Sequence, residues 1–246
     1  MRSEIASNRF GYSTLVRSCC IGREIAKALC KGGANVYGLS RTKELLDTLK
    51  EECPTIKTLC CDLNDWDATR KAVQDIGPID LLVNNAGISL LQNFLDVTPE
   101  VYDQVMNVNL KAVINVSQIA AKTMIDRGVG GAIVNISSIA SERALQRHTV
   151  YCVSKAGLNQ MTKVMALELG PHKIRVNAVC PTIIMTELGR AFWSDPIVNK
   201  PYIDRTPLGR FGEIEDVVHT VMFLLSDKSA MIHGTTIPID GGLFVS

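Results

Sequence analysis

Tyr151 and Lys155 stand four residues apart in Tyr151-Cys-Val-Ser-Lys155, at the start of a stretch rich in Ala, Leu and Lys. If that stretch is helical, the two side chains share a face. An ammonium beside a phenol favours the phenolate and lowers a pKa that is about 10 when unperturbed. Such a tyrosine can exchange a proton with a carbonyl or alcohol oxygen near neutral pH. The spacing alone is weak, because an ordinary exposed helical pair looks the same. Its company is more specific. Ser138 closes Asn135-Ile-Ser-Ser138, thirteen residues before Tyr151, where its hydroxyl can reach the same substrate oxygen. Asn84-Asn85-Ala86-Gly87 ends another apolar run, Asn109 opens the next helical stretch, and Pro181 and Thr186 follow a further run.

The elements needed to bring these residues together are legible. Short apolar runs alternate with helical patterns along the chain, the signature of a parallel sheet covered on both faces. Strand candidates are Ala34–Leu39, Ile56–Cys61, Leu81–Asn84, Ala132–Ile136, Val176–Val179 and Thr236–Ile239. Ile21–Leu29 places Ile21, Ile25, Ala28 and Leu29 at helical spacing. Longer helical patterns cover Leu110–Arg127 and Tyr151–Leu169. Gly128-Val-Gly-Gly131 reads as a loop, and Thr182–Pro207 as a long aperiodic insertion after a strand, where such folds build a substrate lid. No repeat or Pro-rich linker divides the chain. The expected architecture is α/β: one doubly wound Rossmann-type domain of about seven parallel strands. Every residue singled out above falls at a strand's carboxyl end or a helix start, where an open sheet binds its ligand.

Composition narrows the function. The 246 residues carry a formal charge of +1 and are 46% hydrophobic. Nothing in that balance attracts nucleic acid or an anionic membrane. No apolar run approaches the roughly 18 residues of a membrane span. The eight cysteines include the adjacent pairs Cys19-Cys20 and Cys60-Cys61, and none forms a Cys-x-x-Cys or a zinc-ligand spacing. They read as reduced thiols of a cytoplasmic protein with no metal. Arg2, Arg9 and Arg17 among serines have a transit-peptide flavour, but Glu4 and the lack of an amphipathic stripe argue against it.

Asn84-Asn-Ala-Gly87, Asn109, Ser138, Tyr151-x-x-x-Lys155 and the closing Asp240-Gly-Gly242 together resemble the short-chain dehydrogenase/reductase family, in particular its carbonyl-reducing members. Asp62-Leu-Asn-Asp-Trp66, Asp80-Leu-Leu-Val-Asn-Asn85, Val116-Ser-Gln-Ile119 and the run Val164–Ala178 extend the likeness. So do Pro181-Thr182, Trp193-Ser-Asp-Pro196 and Pro207-Leu-Gly209, and the likeness spans residues 21–246 without a large gap. It implies NADPH-dependent reduction of a small carbonyl, with L-xylulose (to xylitol) and α-dicarbonyls as leading substrates, in a homotetramer with the two long helices as interface candidates. It implies that Tyr151 is the general acid and that Ser138 orients and polarises the carbonyl. Lys155 would lower the tyrosine pKa and hold the nicotinamide ribose, and Asn109 would support a water relay to Lys155. Leu145, His148 and Trp193 would shape the substrate pocket, although Trp193 could equally pack the lid and His148 could order a loop.

For the cofactor, the resemblance assigns Asp62-Leu63 to the adenine and Asn85, Ala86 and Gly87 to its central part. Ile184 and Thr186 would meet the nicotinamide carboxamide. The second strand runs into Gly38-Leu-Ser40-Arg41-Thr42, with no acidic residue for a ribose 2′-hydroxyl and with Arg41 placed for a 2′-phosphate, which favours NADP(H). One region departs from the family. Where a Thr-Gly-x-x-x-Gly-x-Gly loop is expected, the chain reads Leu15-Val-Arg-Ser-Cys-Cys-Ile-Gly22, and only Gly22 keeps its place. Glycines there permit a tight turn and let backbone amides approach a pyrophosphate. Val16 and Cys20 bring side chains into that space, and a β-branched residue suits positive φ poorly. Residues 1–20 are therefore an atypical segment. Three origins fit: a genuine sequence with impaired cofactor binding, an alternative transcript, or a shifted reading frame. Arg-Ser-Cys-Cys encoded as AGG-AGC-TGC-TGC shifts by one base to GGA-GCT-GCT, Gly-Ala-Ala. The alternative to an enzyme is a cofactor-impaired pseudoenzyme or structural subunit of an oligomer.

Overall fold

The computed structural model describes residues 13–17 and 20–246. Arg2, Glu4, Arg9, Ser18 and Cys19 lie outside the described residues, and with them much of the atypical amino-terminal segment. Seven strands form one parallel sheet: β1 (Ser13–Arg17), β2 (Asn35–Ser40), β3 (Lys57–Cys60), β4 (Leu81–Asn84), β5 (Gly131–Ile136), β6 (Ile174–Pro181) and β7 (Thr236–Ile239). Their order is β3-β2-β1-β4-β5-β6-β7. The chain winds outward from β1 in one direction and from β4 in the other, so the order reverses between β1 and β4. Side chains alternate between two packed faces, as the pleat requires. Leu81, Val83, Ala132 and Val134 join α1 (Ile21–Lys31) and α9 (Ile214–Leu225) in one core. Leu82, Ile133 and Val176 join α3 (Trp66–Gln74), α5 (Ala112–Arg127) and α6 (Thr149–Leu169) in the other. The remaining helices are α2 (Lys43–Glu52), α4 (Pro99–Met106), α7 (Glu187–Trp193) and α8 (Pro196–Ile203).

The expected strands all form, with ends unmoved or moved by one or two residues. β1 was not among the six expected runs; it pairs Val16 with Gly38 of β2 and with Val83 of β4, at the centre of the sheet. This corrects the placing of Leu15–Arg17 in the expected loop. Leu15, Val16 and Arg17 are extended strand residues, so Val16 is not asked to take a positive φ. Gly131, assigned to a loop, instead opens β5. The insertion Thr182–Pro207 holds α7 and α8, too short to show a hydrophobic period but marked by their caps. Thr186 accepts from the Gly189 amide at 3.0 Å, and Asp195 from the Ile197 amide at 2.8 Å with Pro196 following. The helix expected from Leu110 begins earlier. α4 runs into a π-turn at Asn107–Lys111 and on into α5 without a break. Among the described residues no helix is long and apolar enough to cross a membrane, and no group of His, Cys, Asp and Glu is placed to hold a metal.

Candidate active site

All seven strands are parallel, so their carboxyl ends gather at one edge, and the order reversal opens a cleft there. β5 delivers Ser138 to that edge. Its backbone is extended (φ −165°, ψ 158°), and its Oγ accepts from the Ala140 amide at 3.1 Å. α6 begins opposite and brings the Tyr151 phenol near enough to Ser138 for the serine to favour the phenolate. One turn on, Lys155 is buried (3% exposed), donates to the Ile136 carbonyl at 2.8 Å, and holds its Nζ 5.8 Å from the Tyr151 ring centre.

The direction of the tyrosine's pKa differs from the sequence expectation. Burial of the phenol is the largest influence and pushes it above its ordinary value; the Ser138 hydrogen bond works against this, and Cys152 and Cys180 add slightly to the rise. Lys155 is not among the groups that set the direction of this shift, and its Nζ donates to the Ile136 carbonyl.

Asn109 sits inside the π-turn and is completely buried. Its amide nitrogen donates to the Ile88 carbonyl and the Ser154 hydroxyl, both at 2.9 Å, and its oxygen accepts from the Ile88 amide at 2.8 Å. Ser154 in turn donates to the Tyr151 carbonyl at 2.7 Å. Asn109 thus ties the loop after β4 to the first turn of α6. A π-turn shifts the local backbone bonding, a feature frequent at functional sites. Gly87 lies against this group: a Cβ there would stand 3.3 Å from Lys155 Nζ and 3.7 Å from Asn109 Oδ1. Asn84 is engaged beneath, donating to Ser117 Oγ (2.9 Å) and Asn135 Oδ1 (2.8 Å), while Asn135 donates to Thr162 (2.9 Å). Asn84 therefore bridges elements within a buried polar ladder.

Along the β2 and β3 ends, Arg41, Asp62, Leu63 and Ile88 line one depression, with Leu39, Cys61 and Val108 as its walls. Ser40 is buried, and its Oγ accepts from the Thr42 amide at 3.2 Å, fixing the turn that exposes Arg41. Asp62 Oδ1 accepts from the Asn64 amide at 3.0 Å. Arg23, just after the β1–α1 turn, holds α2 through the Leu45 carbonyl (3.1 Å), Thr48 (3.2 Å) and Glu52 (2.7 Å). Arg23 and Lys27 together hold the Glu52 carboxyl down to about 2. Gly22 is buried in the first turn of α1. Cys20, at the amino cap of that helix, has φ 41° and ψ −108°, a backbone region that glycine tolerates and side-chain-bearing residues rarely adopt. The strain expected at the altered loop thus resides at Cys20.

On the far side, Thr186 accepts from Gly189 and its amide donates to the Ile184 carbonyl at 2.8 Å, while Ile184 is buried against Gly212. His148 lies beside Tyr151 (ring centres 6.1 Å apart), and its Nδ1 is 2.7 Å from the Gln146 carbonyl. The Leu145 carbonyl accepts from the His148 amide at 3.1 Å, so this loop is ordered from within. Trp193 stacks edge-on against Tyr202 (4.8 Å) and Phe211 (5.6 Å), which places its ring in the packing of the α7–α8 insertion. The structure thus gathers Ser138, Tyr151, Lys155 and Asn109, and groups Arg41 with Asp62 and Leu63. Sequence reasoning missed Ser154, Ser141 and Asn159. Ser154 and Asn159 are buried and Ser141 half-buried within apolar helices and turns, and only the packing shows what they bond.

A parallel sheet with a cleft at its order reversal, with Ser138, Tyr151 and Lys155 gathered at the strand ends, defines a Rossmann-type oxidoreductase. Residues 16–244 match the family model described as enoyl-(acyl carrier protein) reductase. L-xylulose reductase of Mus musculus is 58% identical over 226 residues, covering 92% of this chain and 93% of that protein. D-erythrulose reductase of Gallus gallus is 56% identical, covering 92% of each. The crystal structure of a gluconate 5-dehydrogenase from Burkholderia cenocepacia J2315 in complex with NADP and tartrate superposes with a TM-score of 0.90 at 31% identity, covering 97% of each chain. The chain belongs to the short-chain dehydrogenase/reductase family.

Proposed function

We propose that the chain is an NADPH-dependent carbonyl reductase that reduces L-xylulose to xylitol and also accepts α-dicarbonyls. The observation that carries the reading is the single group formed by Ser138, Tyr151 and Lys155 at the strand ends. It is supported by the high identity to sugar-ketone reductases. The residues fit the cofactor. No acid follows β2, Arg41 is exposed beside Asp62 and Leu63, and Gly87 puts no side chain of its own against the Lys155 ammonium. Arg41 and Ser40 would take the 2′-phosphate, Asp62 and Leu63 the adenine, Asn85, Ala86 and Gly87 the middle, and Ile184 and Thr186 the carboxamide. Gly22 would offer backbone at the pyrophosphate. When bound, NADPH supplies the hydride.

The chain's own part is proton transfer and orientation. Ser138 donates to the substrate carbonyl and polarises it. Tyr151, kept protonated by its burial, releases its phenolic proton to the same oxygen as charge develops there. Lys155 stabilises the resulting phenolate and holds the nicotinamide ribose. Asn109 has its side-chain hydrogen bonds committed to Ile88 and Ser154, so a water relay to Lys155 would run from its backbone in the π-turn. Leu145 and His148 flank the substrate, and Trp193 acts through the lid it packs. A cytoplasmic homotetramer is part of the proposal, with α5 and α6 as interface; exposed Ile114, Val153, Val164 and Leu167 on those helices support it.

The test is to follow NADPH oxidation with L-xylulose, diacetyl and D-erythrulose while identifying the product of the first. Xylitol formed in step with NADPH consumed is the expected result. Turnover of diacetyl without L-xylulose would overturn the sugar assignment, and no turnover of any carbonyl would overturn the reductase.

A further inference from the structure

Tyr151, Lys155 and Asn159 follow one another at four-residue intervals on α6, so all three address the end of β5. The first two meet Ser138 and the Ile136 carbonyl. The third is 7% exposed and turns toward the helical turn Ile139–Ser141 that carries Ser138's own peptide. Its Nδ2 donates to Ser141 Oγ at 2.7 Å, and the Cys180 thiol (1% exposed) lies 3.7 Å from both ends of the amide.

We infer that Asn159, acting through Ser141, is a positioning residue that fixes the carbonyl-polarising Ser138 relative to Tyr151; this rests on the reductase reading above. The argument is one of proton counting. A serine hydroxyl has one proton. An amide N–H arriving at Ser141 Oγ occupies a lone pair, so that proton must go elsewhere, and the Ser138 carbonyl lies 2.6 Å away to accept it. The Ser141 amide donates to the same carbonyl at 3.0 Å. Doubly anchored, the Ser138 peptide cannot rotate without breaking buried bonds, each costly to leave unmade. The Ala140 amide then fixes Ser138 Oγ from the other side. Cys180 satisfies the remainder of the Asn159 amide and brings β6 into the same lock. Ser137 adds a parallel tie, donating to the Lys155 carbonyl at 3.3 Å. The turn holding Ser138 is thereby fastened to the helix that holds its partners.

The test compares Asn159→Leu and Ser141→Ala with Ser141→Thr, which retains a hydroxyl, in the full chain. For the first two, kcat for carbonyl reduction should fall by about tenfold or more, because a misplaced group costs rate steeply. KM for NADPH should stay within about twofold. The alkaline limb of kcat should move to higher pH: the Ser138 bond lowers the Tyr151 pKa, so loosening it lets the tyrosine keep its proton longer. Ser141→Thr should recover most of kcat. Crystal structures of the parent and of Ser141→Ala should show Ser138 Oγ drawn away from the Tyr151 oxygen while Lys155 keeps its carbonyl contact. An unchanged kcat and alkaline limb in both variants would overturn the inference. So would Ser138 remaining in place in the Ser141→Ala crystal, a readout that needs no turnover. A parent that turns over no carbonyl would instead refute the reductase reading and leave the crystallographic comparison to decide this one.

Discussion

The two sides of the cleft are held by different means. On the β5–α6 side, the proposed function rests on side chains, and each is fastened by buried or half-buried hydrogen bonds: Ser138 by Ala140 and Ser141, Lys155 by Ile136, Asn109 by Ile88 and Ser154. At the β1–α1 turn, function rests on backbone. There the chain places Cys20 in a conformation that suits glycine, at the helix end whose free amides favour an anion. On the proposed reading, the side chains for proton transfer are in place while the backbone at Cys20 is strained. The two properties can then be changed separately, by substitutions at Tyr151 and at Cys20.

The sharpest way to break this comparison is on the catalytic side. Tyr151→Phe keeps the ring and removes the proton, so carbonyl reduction should fall by ~10²–10⁴-fold, with NADPH binding unchanged. Activity within about tenfold of the parent would take Tyr151 out of the mechanism. On the nucleotide side, Arg41→Ala should weaken NADPH about tenfold or more and NADH hardly at all, since only NADPH carries the phosphate for a charge-assisted contact. Equal weakening of both cofactors, measured by titration, would mean that Arg41 does not discriminate. The smallest effect sharpens the comparison. Cys20→Gly relieves a strain of roughly 1–3 kcal/mol, so Tm should rise by a few degrees for a chain of this size. NADPH affinity should improve severalfold as the Cβ leaves the turn. A lower Tm with no change in affinity would show that Cys20 is at ease where it stands.

Much of this was legible in the residues. Leu81–Asn84 and Thr236–Ile239 end where the sequence puts them because they are short apolar runs bounded by polar residues. Ser138, Tyr151, Lys155 and Asn109 were legible because their types and spacing carry chemistry. β1 was not, since Ser13–Arg17 has no alternation of its own and becomes a strand by pairing between β2 and β4. α7 and α8 were hidden by their brevity. The rise in the Tyr151 pKa was hidden too: spacing predicts a neighbouring ammonium, but not how deeply the phenol is buried. Trp193 shows the same limit: its type fits pocket and packing alike, and its ring contacts with Tyr202 and Phe211 were not legible in the sequence.

The central claim is that a chain with Ser138, Tyr151 and Lys155 gathered at its strand ends and a strained Cys20 at its nucleotide turn still functions with NADPH. Direct fluorescence titration of the unaltered full chain with NADPH and with NADH tests it. Saturable binding, tighter for NADPH and strengthened by Cys20→Gly, is the predicted result. No saturable binding of NADPH by the unaltered chain, with the protein folded, would contradict it.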